Sequence, residues 1–129
     1  MRWLLDTQLL LWAAGVPDRL PFSVRPILED RENVLMFSPA SLWEVFIKRS
    51  LGRPDFRVDP HVLRRGLLDN GYQELEIIGH HVLRVDGLPL IHKDPFDRIL
   101  VAQSIVEGLT LVTTDPLLVR YAGPVLLVE

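Results

Sequence analysis

The sequence predicts a three-layer α/β/α domain, in which a mostly parallel central sheet is covered by helices on both faces. Short apolar runs of the kind that fill buried parallel strands recur along the chain. Segments with helical spacing of apolar residues separate these runs, and the connections between them are short. The length of 129 residues, with 48% hydrophobic and 24% charged residues, suits one compact domain over residues 1–129.

The N-terminal half predicts two strands, each followed by helical segments. The runs RWLL (Arg2 to Leu5) and VLMF (Val34 to Phe37) have the length and composition of buried strands. Ser38 and Pro39 are typical of a helix start, because serine caps free N–H groups and proline suits the first turn. The predicted helices of this half are Leu9 to about Gly15, Pro21 to Asp30, and Pro39 to Leu51.

The C-terminal half predicts three more strands around a well-marked helix. Asp94 and Pro95 repeat the cap-and-proline start, and Gly108 ends the helix that follows. The run LTLVT then reads as a short buried strand that leads to Asp115. The strands predicted here are Glu74 to Ile78, Leu109 to Thr113, and Val125 to Val128. The helices are Pro60 to about Asn70, Gly79 to Val85, Pro95 to Glu107, and a turn or two from Pro116 to Tyr121.

Composition limits the kinds of site that are possible. No apolar run approaches the roughly 20 residues that span a bilayer, and Met1 to Asp6 reaches an acid too early for a signal peptide, so we expect a cytoplasmic protein. The chain has no cysteine, which excludes disulfides, thiolate nucleophiles and cysteine-based zinc sites. Any metal must therefore be held by oxygen or histidine ligands.

Basic residues are concentrated in one segment. Between Lys48 and Arg65 the chain carries six basic and two acidic residues, although its net charge is −3. Two interpretations stay open, a solvated surface and a surface that holds a polyanion.

Four acidic residues from four separate elements are expected at one edge of the sheet. Asp6 and Asp115 each follow a strand, and ligands bind to open parallel sheets at the carboxyl ends of the strands. Glu44 and Asp97 lie in the first two turns of their helices, and helical side chains lean towards the helix N-terminus, which is at the same edge. The sequence therefore predicts a carboxylate cluster.

The chemistry of such a cluster favours a divalent cation. Carboxylates gathered in apolar surroundings repel one another and protonate unless a cation compensates them. Oxygen ligands select Mg²⁺ or Mn²⁺, and a site of this kind suits metal-assisted attack of water on a phosphodiester.

A purely structural interpretation of Asp94 and Asp97 also stays open. An acid at the N-cap and another in the first turn stabilise a helix by binding its free N–H groups and by facing the positive end of its dipole. The four histidines, His92 among them, are interpreted as surface or loop residues rather than ligands.

Four motifs, in this order, resemble the PIN-domain ribonucleases, especially the compact toxins of the VapC type. They are Leu4 to Thr7 (LLDT), Ser38 to Glu44 (SPASLWE), His92 to Arg98 (HKDPFDR), and Leu111 to Asp115 (LVTTD). The resemblance implies a PIN-like fold and a Mg²⁺- or Mn²⁺-dependent endoribonuclease. It assigns catalysis to Asp6, Glu44, Asp97 and Asp115, the metal to Asp6, Asp97 and Asp115, and supporting roles to Thr7, Asp94 and Thr113.

The resemblance also implies partners. RNA is the expected substrate, and the charge of the basic segment suggests that Arg49, Arg53, Arg64 and Arg65 hold its phosphates. An antitoxin would insert Arg or Lys among the acids, because a guanidinium matches paired carboxylates in geometry and charge. Apolar surface for an antitoxin helix is expected at Leu9, Trp12, Trp43 and Phe46. We also expect a homodimer.

Two alternative functions remain open on the residues alone. The first is a non-catalytic α/β module that binds a metal or a basic peptide. The second is a phosphotransfer enzyme that forms an aspartyl-phosphate at Asp6, although Gln8 stands where a second acid is usual.

Overall fold

A five-stranded, entirely parallel sheet forms the centre of the molecule in the computed structural model, which describes all 129 residues. The strands are β1 (Arg2–Leu5), β2 (Val34–Phe37), β3 (Gln73–Glu74), β4 (Thr110–Thr113) and β5 (Val125–Leu127). Their order across the sheet is β3-β2-β1-β4-β5. Leu4 of β1 pairs with Met36 on one side and with Leu111 on the other, so β1 is the central strand.

Six α-helices and three short 3₁₀ turns connect the strands. The α-helices are α1 (Thr7–Gly15), α2 (Arg25–Glu29), α3 (Pro39–Ser50), α4 (Pro60–Asp69), α5 (Gly79–Asp86) and α6 (Pro95–Glu107), and the 3₁₀ turns are Pro17–Arg19, Phe22–Val24 and Leu118–Arg120. Three helices begin at a proline that follows a capping side chain, namely Ser38, Asp59 or Asp94. None of the helices is both long and apolar enough to cross a lipid bilayer.

Two hydrophobic cores, one on each face of the sheet, confirm the three-layer α/β/α class. Successive residues of a strand point to opposite faces, and Leu4 and Leu5 of β1 accordingly enter different cores. The core around Leu5 is closed by side chains of α1, α3 and α4. The core around Leu4 is closed mainly by α6, with Leu88 and Tyr121 from the connecting segments.

Two predicted elements differ from the structure. The strand predicted at Glu74 to Ile78 ends at Glu74, because its neighbour β2 ends at Phe37 and offers no further residues to pair with. The Gln103 amide instead donates to the carbonyls of Leu75 and Glu76, at 3.1 and 3.3 Å. The helix predicted over Pro21 to Asp30 is divided into a 3₁₀ turn and α2, because Pro26 lacks the N–H that a continuous helix needs at that position.

The strand order places a ligand-binding crevice between β1 and β4. The chain proceeds from β1 outwards through β2 and β3, and then returns to the other side of β1 to add β4 and β5. Ligands bind to open parallel sheets at such a reversal, outside the carboxyl ends of the strands. Asp6 and Thr114 are the first residues beyond the carboxyl ends of β1 and β4.

Candidate active site

Asp6 is fixed at the carboxyl end of β1 by three donors. Its Oδ1 accepts from the Leu9 N–H at 3.0 Å and so caps α1, while its Oδ2 accepts from Thr113 Oγ1 at 2.6 Å and from the Thr114 N–H at 3.2 Å. The side chain is almost completely buried. Burial raises the pKa of Asp6, and the negative charge of Glu44 adds to this effect, although the three hydrogen bonds oppose it. Asp6 is therefore a fixed carboxyl in surroundings that disfavour uncompensated charge.

Asp115 is oriented by the same threonine. Thr113 Oγ1 accepts the Asp115 N–H at 3.0 Å, and Asp115 Oδ1 accepts the N–H of Leu117 at 2.9 Å. The second oxygen, Oδ2, faces the cluster and lies 2.9 Å from His92 Nε2. The hydroxyl of Thr113 thus contacts both strand-end acids: it donates to the Asp6 carboxylate and accepts the backbone N–H of Asp115.

The first turn of α6 contributes Asp94 and Asp97. Asp94 accepts from the Phe96 N–H at 2.8 Å and is the N-cap of the helix. Asp97 faces the cluster, and its pKa is raised to about 7, first by burial and then by the negative charges of Asp94, Glu44 and Asp6, with the imidazole of His92 opposing. The capping interpretation therefore fits Asp94 and does not account for Asp97.

Glu44 reaches the cluster from α3 and has a partner for each oxygen. Oε1 accepts from Thr7 Oγ1 at 2.6 Å, and Thr7 Oγ1 also lies 3.0 Å from Ser41 Oγ. Oε2 lies 2.5 Å from Nζ of Lys48, one turn further along the helix. The same Nζ lies 3.8 Å from Asp94 Oδ2, so Lys48 bridges acids from two helices.

These residues line one open, polar pocket. Its walls contain all four predicted catalytic acids, together with Thr7, Asp94, Lys48 and Arg53. Thr113 is buried behind Asp6 and does not face the pocket. Of the predicted RNA-contacting residues, only Arg53 lines the pocket, and Arg49 is exposed on α3. Arg64 and Arg65 line a separate surface depression on α4, where Arg64 Nε donates to Glu74 at 2.9 Å.

His92 lies in a loop, as predicted, but its side chain is part of the acidic cluster and not of the surface. The side chain is only 18% exposed, and Nε2 lies 2.9 Å from Asp115 Oδ2 and 3.3 Å from Asp97 Oδ2. Its position two residues before the Asp94 cap indicates only that the backbone passes near the cluster to enter α6, and not where the side chain lies. Lys48, a member of the basic segment in sequence, likewise lies among the acids, with its Nζ at Glu44 and Asp94.

The donor set suits a divalent cation of the Mg²⁺ or Mn²⁺ type. One oxygen each of Asp97 and Asp115 and one ring nitrogen of His92 form a trio within 4.8 Å of one another, so the two carboxylates lie close enough to share one ion. Asp6 lies in the same pocket but outside this trio. Burial, followed by the neighbouring carboxylates, raises the pKa of Asp97, and a divalent cation bound here would favour the ionised carboxylate.

Comparison with known proteins agrees with this geometry. A family model described as PIN domain matches residues 3–124. Structures of similar fold include VapBC2 from Rickettsia felis bound to a DNA fragment from their promoter (TM-score 0.73, 16% identity, 100% of each chain covered). They also include DNA-bound VapBC from Salmonella typhimurium (0.68, 15%, with 98% of this chain and 97% of that chain covered) and VapBC-1 from nontypeable Haemophilus influenzae (0.54, 17%, 89% and 87%). No curated protein sequence matches the chain.

The structural matches share little sequence with this chain, and what they establish is the fold. The family model is independent of them and extends from β1 to the residue before β5. Within that span lie the strand-end acids Asp6 and Asp115 and the helical acids Glu44 and Asp97. The chain belongs to the PIN-domain family.

Proposed function

We propose that this protein is a metal-dependent endoribonuclease and the toxin of a toxin–antitoxin pair. The observation that carries the proposal is the meeting of Asp6, Glu44, Asp97 and Asp115, from four separate elements, in one polar pocket at the carboxyl edge of the sheet. Membership of the PIN-domain family supports the nuclease activity. The fold shared with toxins in VapBC complexes supports the biological role.

Three carboxylates, those of Asp6, Asp97 and Asp115, would hold Mg²⁺ or Mn²⁺. The cation, when bound, activates water and stabilises the leaving oxygen of an RNA phosphodiester. Thr113 positions Asp6 and Asp115 relative to each other. Glu44, held between Thr7 and Lys48, adds a fixed carboxylate at the margin of the cluster, and Asp94 maintains the start of α6.

The basic segment is proposed as the surface that holds RNA. Arg53 lies at the pocket itself, whereas Arg49, Arg64 and Arg65 lie on the neighbouring helices α3 and α4. Arginines along such a path bind phosphates without regard to sequence and draw the polyanion towards an acidic site. To bind a phosphate, Arg64 must break its ion pair with Glu74 or bind both groups at once.

An antitoxin is the proposed protein partner. Lys48 already places an ammonium between Glu44 and Asp94, so the pocket accepts a cationic side chain, and a partner's Arg or Lys would meet the same acids. The expected apolar surface is smaller than predicted, because Leu9 is completely buried and Trp12 is half-buried. Trp43 and Phe46 on α3 are exposed and remain available for a partner helix.

A homodimer is proposed on the exposed apolar side of α5. Val82 and Leu83, which are 54% and 74% exposed, are adjacent apolar residues on this helix. A second copy of the chain would bury them. Sedimentation equilibrium should give the mass of a dimer for the purified protein and that of a monomer for Leu83→Glu, and a monomeric wild-type protein would contradict this part of the proposal.

The function is tested by cleavage of RNA in vitro and by growth of the host. Cleavage should require Mg²⁺ or Mn²⁺, stop with a chelator, and fall by several orders of magnitude in Asp6→Asn, while Asp18→Asn on an exposed 3₁₀ turn remains active. Expression should arrest growth only when Asp6 is present, and coexpression of the proposed antitoxin should restore growth. Metal binding without RNA cleavage would favour the non-catalytic alternative. Equal growth with wild-type and Asp6→Asn chains would overturn the toxin role.

A further inference from the structure

The imidazole of His92 fills the space between two of the proposed metal ligands. Its Nε2 lies within hydrogen-bonding distance of Asp115 Oδ2 (2.9 Å) and close to Asp97 Oδ2 (3.3 Å). A divalent cation shared by these two carboxylates would need the same space. The ring must therefore either become a ligand of that cation or leave the carboxylates when it binds.

The other ring nitrogen decides between these two roles. His92 Nδ1 accepts the backbone N–H of Asp94 at 3.0 Å, so Nδ1 carries a lone pair and no proton. A neutral imidazole with an unprotonated Nδ1 has its proton on Nε2, directed at the two carboxylates. A protonated ring nitrogen donates a hydrogen bond and cannot ligate a metal. If the proton moved to Nδ1, two donors would face each other and the hydrogen bond from the Asp94 N–H would be lost.

Hydrogen bonds involving Tyr121 and Arg98 fix the backbone segment that carries His92. The His92 N–H donates to the hydroxyl of Tyr121 at 2.9 Å, and Arg98 Nη1 donates to the same hydroxyl at 3.2 Å. Arg98 also donates to the carbonyl of Pro89 (2.9 Å), on the connection between α5 and α6, and to that of Val85 (3.2 Å), in the last turn of α5. Tyr121 is 3% exposed, so this anchor is part of the core. The position of His92 follows from the fold rather than from a free rotation of the side chain.

We propose that His92 is a positioning residue that occupies the cation position between Asp97 and Asp115 and competes with the metal for it. In the metal-free protein its Nε2–H holds the two carboxylates together in a preformed arrangement. A divalent cation displaces the N–H from both oxygens and does not gain the ring as a ligand. His92 thus lowers the affinity for the metal and keeps the site organised without it. This inference rests on the proposed function, because it takes the carboxylate cluster to be a metal site.

Nuclear magnetic resonance tests the tautomer directly in the full-length protein. Long-range ¹H–¹⁵N correlation spectra of the histidine rings should show His92 with a protonated Nε2 and an unprotonated Nδ1, assigned by loss of its signals in His92→Ala. His81 is an internal reference, because its Nδ1 likewise accepts a backbone N–H (from Ile78, 3.0 Å) and its Nε2 meets Glu107 at 2.7 Å. A proton on Nδ1 of His92, or on both nitrogens, would overturn the proposal.

Calorimetric titration with Mn²⁺ tests the competition. Removing His92 abolishes a donor that the cation must displace, so His92→Ala should bind Mn²⁺ about tenfold more tightly than the wild type, as expected for one lost hydrogen bond to a charged group. His80→Ala, an exposed position on α5, is the matched control and should bind as the wild type does. Tyr121→Phe removes the anchor while keeping the ring that fills the core, and it should tighten binding in the same direction by a smaller factor.

The outcomes separate this inference from the proposed function. Weaker binding in His92→Ala would make His92 a ligand, and unchanged binding in both His92→Ala and Tyr121→Phe would remove its role; either result overturns the inference and leaves the metal site in place. If neither the wild type nor the variants bind Mn²⁺, the metal site of the proposed function fails, and the competition fails with it. Should His92→Ala not fold, the Mn²⁺ affinity of Tyr121→Phe still decides the question.

Discussion

The hydroxyl of Thr113 lies 2.6 Å from Oδ2 of Asp6, although 107 positions separate the two residues in the chain. The contact joins the carboxyl ends of the neighbouring strands β1 and β4, and Thr113 is completely buried. The same hydroxyl oxygen accepts the N–H of Asp115. One side chain therefore sets the relative position of two acids of the cluster.

Replacing Thr113 by Val should separate this geometric role from simple packing. Valine has the same shape but leaves a buried Asp6 oxygen without its shortest donor, so the free energy of unfolding should fall by about 1–3 kcal/mol. RNA cleavage should fall by at least tenfold because Asp6 and Asp115 are no longer held together. Thr113→Ser retains the hydroxyl and should recover most of the activity. Urea denaturation and cleavage rates measure both effects, and full activity in Thr113→Val would show that the contact is dispensable.

The carboxylate cluster could be predicted from the sequence because it depends only on topology. Asp6 follows β1, Asp115 follows β4, and the two strands are parallel neighbours, so their ends meet regardless of side-chain detail. His92 could not be placed in the same way. Its connection has no periodic pattern, and its position depends on the contacts of Arg98 and Tyr121, which form only after the domain has folded.

The short β3 and the placement of Lys48 illustrate the same limit. The apolar run after Glu74 has strand composition, but the number of pairing residues is set by where β2 ends, which is a property of the neighbouring strand. The sequence indicates Lys48 only as one of six basic residues, because it shows the position of Lys48 on α3 and not the direction of its side chain. The structure shows its Nζ between Glu44 and Asp94, on the acidic side of the helix.

The pair Glu44 and Lys48 should be energetically coupled. Lys48→Met removes the positive partner of a buried carboxylate, and it should lower the free energy of unfolding by about 1–3 kcal/mol at neutral pH. Glu44→Gln combined with Lys48→Met should cost less than the sum of the single changes, because neither charge is then left alone. A double-mutant cycle by urea denaturation measures this coupling. Strictly additive losses would show that the contact contributes no net stability.

The basic segment should control the salt dependence of RNA binding. Charge reversal of Arg64 and Arg65 should raise the apparent KM for RNA and flatten the fall of affinity with salt, because fewer phosphate contacts release fewer counterions. Arg31→Glu provides a matched charge reversal on an exposed residue that precedes β2 and so lies at the opposite edge of the sheet. An unchanged salt slope in the Arg64 and Arg65 variants would identify this helix face as a solvated surface.

The stability of the metal-free protein should depend on pH through Asp97. The pKa of Asp97 is raised from 3.8 to about 7, and the pKa of Asp6 is raised as well, so the folded state holds protons that the unfolded chain releases between these values. The free energy of unfolding should therefore be greatest near pH 4, fall as the pH rises towards 7, and change little from this source above that value.

Asp97→Asn should remove most of this slope, and it should stabilise the metal-free protein at pH 8, because an amide has no charge to bury. Asp18→Asn, an exposed aspartate on a 3₁₀ turn, should leave the slope as it is. Addition of Mn²⁺ at pH 8 should raise the Tm of the wild type more than that of Asp97→Asn, since a cation favours the ionised carboxylate. Thermal denaturation from pH 5 to 8 measures all three effects, and an equal slope in wild type and Asp97→Asn would show that another group is responsible.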